Sequence, residues 1–177
     1  MKRKVVFCAV AYCLMSALVH AESDARLETA KQQAQQMADA MVQGDDKTFA
    51  RLTYAKVLEM NGGSEKMAAT MESGRRQMAS DETQFLRTDI GEPHAVIQGS
   101  AMLFTFVPET IHMTVRGGRL IQKSFLLGVS TNQGQAWTFI DAAGLVRHPE
   151  RMPEVLPDFP KDAVLPVIPK PVFEPAR

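Results

Sequence analysis

Cysteine is nearly missing from this chain of 177 residues, and the two present, Cys8 and Cys13, both lie at its start. They fall in an apolar run, Val5 to Val19, that follows the basic Met1-Lys2-Arg3-Lys4 and precedes Val19-His20-Ala21. A positive stretch, an apolar stretch and a small-x-small site in that order are the pattern of a cleavable signal peptide. The expected division is therefore a signal peptide over 1–21, cut after Ala21, with the mature chain starting near Glu22. A membrane anchor is the alternative, but the run is shorter than the ~20 apolar residues a spanning helix needs. Lipidation would want a small residue before the cysteine, and Phe7 and Tyr12 stand there instead. Without Cys8 and Cys13 the mature chain can form no disulfide, thiolate nucleophile or Cys metal site. A periplasmic or secreted domain held together by its core is expected.

Other absences narrow the function. Removing three basic residues leaves 17 basic against 20 acidic ones, a net charge of −3, and the basic residues are scattered. Nucleic-acid binding would need a basic patch, so none is expected. No second long apolar run follows, which argues against membrane association after cleavage. There is no His-x-x-x-His, no calcium-loop spacing, no nucleophile elbow and no Gly-rich phosphate loop. Neither a metal nor a cofactor is expected.

What is present changes period along the chain. From Ser23 to Gln43, Leu27, Ala30, Ala34, Met37, Ala38 and Met41 recur at helical spacing, and Gly44 is a natural stop. Asp45 or Asp46 can cap a short helix carrying Phe49 and Leu52, and Tyr54 to Met60 reads as another helical turn or two. Ser64 is placed to cap a further helix to about Ser80, with Met67, Met71 and Met78 on one stripe. A thioether copper site is one reading of such a stripe. Its spacing is that of an ordinary buried face, so core packing is the expectation.

After Asp81 the period is two. Strands are predicted over Thr83 to Ile90, briefly at Val96-Ile97, from Ala101 to Val115, from Leu120 to Ser130, and to Asp141. Pro108 should mark an edge, bend or bulge, and Gly117-Gly118 should supply the positive φ values of a tight hairpin. Ser130-Thr131-Asn132-Gln133-Gly134-Gln135-Ala136-Trp137 matches the spacing of an Asp-box. In such a turn Asn holds the backbone, Gly is left-handed and Trp packs beneath. One copy fastens a hairpin and does not make a sialidase-type propeller.

Helices followed by a long-stranded antiparallel sheet resemble the NTF2-like, cystatin-like α+β superfamily, of the SnoaL and ketosteroid-isomerase type. Gln43-Gly44-Asp45-Asp46 with Phe49 is similar to its first helix junction. Met60-Asn61-Gly62-Gly63, Gly117-Gly118-Arg119-Leu120 and Trp137 to Asp141 resemble an uncharacterised exported bacterial subgroup. The resemblance spans about 24–148. It implies an α+β fold with N-terminal helices packed on a curved, mostly antiparallel sheet, enclosing a conical pocket. Enzymes of the superfamily place an Asp, His or Tyr in that pocket, which makes Tyr54, Asp89, His94, Glu109, His112 and Asp141 the candidates. His112 is expected on the solvated face, His94 in a surface loop and Asp141 as the cap of the next turn. Spacing alone brings no two of them within hydrogen-bond reach.

Eight of the ten prolines fall in 149–177, interleaved with apolar residues. The chain thus divides into 1–21, a domain over 22–148 and a Pro-rich tail over 149–177. The tail is expected to be extended and to lie across its own domain from Met152 to about Ile168, with the last few residues disordered. The function expected is non-catalytic binding of a small apolar ligand or a protein partner, with a homodimer through the sheet possible. The alternatives are a lyase or isomerase using a pocket Asp or His, and an interaction module acting through the tail.

Overall fold

The computed structural model describes residues 6–176, with side chains from residue 25 onward. The side chains of the expected signal segment, 1–21, lie outside the described residues. The fold is α+β. In chain order it has α1 (Val6–Gln43), α2 (Asp46–Leu52), α3 (Ala55–Met60), α4 (Ser64–Ser80), β1 (Gln84–Ile90), β2 (Ile97–Gln98), β3 (Leu103–Val115), β4 (Gly118–Ser130), β5 (Thr138–Asp141), α5 (Ala142–Arg147), α6 (Met152–Val155) and β6 (Val172–Pro175). The first helix begins well before the predicted Ser23.

The six strands form one open sheet in which every strand pair is antiparallel. At its centre β3 and β4 pair along their whole lengths, from Leu103 opposite Ser130 to Val115 opposite Gly118. The outer rows are shared, β1 and β2 along β3, β5 and β6 along β4.

Both faces of the central ladder are covered, as the apolar alternation of 101–107 implied. One face presents Leu103, Val107, Leu126 and Phe139 to Ala30, Ala34 and Met37 of α1 and Leu52 of α2. Small alanines let α1 lie close to the strands. The other presents Phe104, Phe106, Phe125, Leu127 and Val129 to Leu145, Val155 and Leu156. Phe159 packs edge-on against Phe104, with ring centroids 5.2 Å apart.

Pro108 produces neither bend nor bulge. It pairs with Phe125 on the β4 side, while its carbonyl accepts from Gly91 N at 2.8 Å on the β1 side. In an antiparallel strand a residue's N–H and C=O point the same way, so the missing donor faces the place where β1 has ended. The one shift in the β1–β3 register lies between Phe85 and Arg87.

The Asp-box turn forms as its spacing implied. Ser130 Oγ accepts from Gly134 N at 2.9 Å, and Asn132 Oδ1 accepts from Ala136 N at 3.0 Å. Gly134 has φ of 85°. Trp137 is buried, donates from Nε1 to the Gly134 and Arg26 carbonyls at 3.1 Å each, and donates from its backbone to Gln33 Oε1 at 2.6 Å. The turn therefore fastens α1 to the sheet.

Three expectations need correction. Ser64 does not cap α4; Gly63 holds the N-cap position at φ 96° and no side chain bonds there. Gly117 alone has positive φ in the hairpin. Gly118 is required for close approach, because a Cβ there would stand 2.1 Å from the Glu174 carbonyl oxygen. The last residues were expected to be disordered, yet Val172–Pro175 pairs with Gly118–Ile121 of β4.

Asp158 ties the segment after α6 to the β2–β3 turn. Its carboxylate accepts from the backbone N–H groups of Ser100, Ala101 and Met102 at 2.8–2.9 Å and from the Ser100 hydroxyl. Those bonds hold its pKa at about 2, below the ordinary 3.8. Because the folded pKa is depressed, the stabilisation is present at neutral pH and is lost as pH falls from 3.8 towards about 2. Asp158→Asn should expose this segment to protease at neutral pH while leaving the sheet folded; unchanged cleavage would refute the tie. Gly118→Ala should displace β6 at a cost of about 1–3 kcal/mol. Faster amide exchange at Gly118–Ile121 checks it.

Candidate functional site

The α1 side of the sheet is not filled throughout. α4 stands off it, held to α2 by a two-pronged ion pair in which Arg75 meets Asp46 at 2.5 and 2.7 Å. Between α1, α2, α4, β1 and β5 lies a cavity of about 340 Å³. Its wall is Met37 and Met41 from α1, Phe49, Met67, Met71 and Met78 from α4, Phe85 and Phe139, with Arg75 and Asp141 as its charged members. The Met stripe of α4 is therefore not the buried core face expected of it. No residue of α4 is buried, because the helix spans a hollow instead of pressing onto the strands.

Beside this cavity the same sheet face carries a polar cluster. Glu109 is only 6% exposed and sits opposite Ile90 on β1 and Ser124 on β4. Burial, with the negative Asp141 nearby, lifts its pKa from the ordinary 4.5 to about 7, against a smaller opposing effect of the Ser124 hydroxyl. A carboxyl there exchanges its proton near neutral pH, a property useful to general acid–base chemistry. Asp141 does what its position promised, capping α5 by accepting from Ala143 N at 2.6 Å. It also borders a second hollow of about 310 Å³ with Ser124, Gln122 and Arg147.

The remaining candidates lie elsewhere. Asp89 and His112, unconnected by spacing, meet across β1 and β3 with Nε2 3.0 Å from the carboxylate. Arg87 completes the cluster, 3.2 Å from the same nitrogen and 3.0 Å from Asp89. The Arg87 bonds hold Asp89 below its usual pKa, with a lesser contribution from His112. His112 is thus more covered than the solvated position expected for it, its side chain 17% exposed. The cluster faces away from α1 and joins β1 to β3 as a cross-strand charge pairing. Tyr54 lies among the apolar residues of that same face, its hydroxyl 3.9 Å from Met102 Sδ, and burial pushes its phenol above the usual value. His94 is exposed, as expected of a loop residue.

Sequence reasoning left Glu109 without a partner. The one available signal was an acidic residue in register with Val107 and Ile111 on a strand apolar on both faces. Among the described residues no three His, Cys, Asp or Glu stand together in a metal-holding group, and no helix is long and apolar enough to cross a membrane.

Glu109 titrates higher folded than unfolded, so between pH 4.5 and about 7 the native state holds more protons. Stability therefore falls across that interval, by about 3 kcal/mol at 1.36 kcal/mol per pH unit. Glu109→Gln should flatten this slope and stabilise the protein above neutrality, as read by urea unfolding at about pH 5 and about pH 8. A slope unchanged in the variant would show that the burial of Glu109 is not its source.

No protein-family model, curated protein or solved structure matches this chain.

Proposed function

We propose that the protein is an exported NTF2-like domain that binds a small apolar ligand in the cavity beneath α4, without performing chemistry on it. The observation that carries this reading is the cavity itself. At about 340 Å³ it lies within the roughly 300–1,000 Å³ typical of small-molecule sites, which are mostly apolar with few polar groups. Its Met and Phe lining suits a ligand recognised by shape, since Met side chains repack around irregular apolar surfaces. Support for the NTF2-like assignment is the order of helices before a long-stranded antiparallel sheet, with a hollow between them. Export rests on the basic-then-apolar pattern of residues 1–21, and it places the mature domain in the periplasm or outside the cell.

A second reading has one observation in its favour. Glu109 beside Asp141 is a carboxyl poised near neutrality next to a charged one, the pairing an isomerase or lyase would use for proton transfer. Glu109 is absent from the residues that line the cavity, so a ligand there would not meet it, and binding remains the preferred function.

The wall offers a direct test. A side chain added at Gly74 would meet nothing within 4 Å. Gly74→Phe should therefore fill the hollow, weakening a neutral apolar probe such as N-phenyl-1-naphthylamine by about tenfold or more. Glu109→Gln should leave probe affinity unchanged. Equal binding by wild type and Gly74→Phe, with the variant folded, would refute ligand binding at this site.

A further inference from the structure

We propose that the hollow at the outer edge of β4 binds a small zwitterion, a free amino acid with an apolar side chain, independently of the cavity beneath α4. The sheet itself creates the space. β5 leaves β4 at Leu126 and β6 joins it only at Ile121, so the residues between them, from Gln122 to Phe125, have no strand on that side. α5 and the returning tail close around the gap and leave a hollow of about 310 Å³. That is the lower end of the roughly 300–1,000 Å³ of small-molecule sites, which suits one compact ligand. Ile111, Val146 and Ile168 supply its apolar wall.

The polar groups of the wall carry the inference. Asp141 and Arg147 stand at the two ends of α5, about 9 Å apart along its axis, and both line the hollow. Helical side chains lean towards the N-terminus, which carries Arg147 back towards Asp141. The neighbouring His148 and Arg151 pair with Glu150 and Glu154, but Arg147 has no ion pair among the described residues. The uncharged groups are committed in one sense. Gln122 donates its amide nitrogen to the Lys123 and Pro169 carbonyls at 2.5 and 3.1 Å, leaving its oxygen to accept. The Ser124 hydroxyl donates to the buried Glu109 carboxyl, so its oxygen is likewise an acceptor. Asp141 holds Ala143 N with Oδ1 at 2.6 Å and keeps its second oxygen. Arg147 is thus the donor of the hollow, and Gln122, Ser124 and Asp141 are its acceptors. A carboxylate fits the guanidinium as a charge-assisted, two-bond pair. An ammonium, which only donates, fits the acceptors. An amino acid carries both groups on one carbon and leaves its side chain to the apolar wall. A plain amine or a plain carboxylate would leave one charge of the site unmatched.

The test is isothermal titration of the full chain with L-leucine, whose branched side chain matches that wall. Wild type should bind one leucine per chain. 4-Methylpentanoate lacks the ammonium and 3-methylbutylamine lacks the carboxylate, and each should bind about tenfold or more weakly. R147M removes the guanidinium from an exposed position and should weaken leucine by about tenfold or more. D141N keeps a side chain able to cap α5 and should lose about as much, which gives a second reading if either variant misfolds. Gly74→Phe, altered in the separate cavity, should bind leucine as wild type does. No leucine bound by wild type at millimolar concentration, or wild-type affinity in folded R147M or folded D141N, would overturn the site. So would an analogue that binds as tightly as leucine, or a comparable loss in Gly74→Phe. N-phenyl-1-naphthylamine should still bind R147M, so failure of this site and failure of the apolar-ligand reading are separately visible.

Discussion

Everything else in the structure depends on the register of β3 against β4. Thirteen residues of each strand are paired without a shift, and the Arg116-Gly117 turn closes the ladder from Val115 to Gly118. Side chains alternate faces along a strand, so a slip of one residue would exchange the two cores. It would turn Leu103 and Val107 away from α1, and Phe104 and Phe106 away from α6. With Gly117 at φ 81° the turn has a conformation few other residues adopt cheaply, and it anchors the register at one end. The apolar faces anchor it at the other.

The two faces are closed by different means. On one, Trp137 and the Ser130–Asn132 turn hold α1 down through the Arg26 carbonyl and the Gln33 side chain. On the other, residues after α5 lie across the Phe104–Phe106 surface, tied by Asp158 and finished by β6 pairing with β4. Neither closure reaches α4. That helix is held at its edge by the Arg75–Asp46 pair, and the space beneath it is what remains when a 17-residue helix packs chiefly on another helix. The cavity is thus a consequence of how α4 is attached.

The polar groups sort themselves by face. Asp89, Arg87 and His112 occupy the side away from α1, where water reaches them and mutual pairing suffices. Glu109 lies on the α1 side between Val107 and Ile111, where no cation is supplied and the neutral form is favoured. Two carboxyl groups on neighbouring strands therefore have opposite electrostatics: Asp89 is held below its usual pKa, Glu109 well above.

Local rules were enough for the element order as far as Asp141, the switch from helical to alternating period near Asp81, the Asp-box geometry and the Asp141 cap, because each depends on residues close in sequence. They also identified the Met stripe of α4, but not what lies beneath it. A stripe at 67, 71 and 78 reads the same whether the helix presses on strands or spans a hollow, and only the distance set by Arg75 and Asp46 decides between them. Pairings across long separations were likewise out of reach: Asp89 with His112, Glu109 with Asp141, Asp158 with the Ser100 turn, β6 with β4. Each brings together residues from different elements, and no spacing along the chain encodes the strand register that does so. By itself the sequence determined the helices and strands as far as Asp141 and that no cysteine follows residue 13. The tertiary structure decided which carboxyl is buried, which methionines share a cavity, and how the last residues are held.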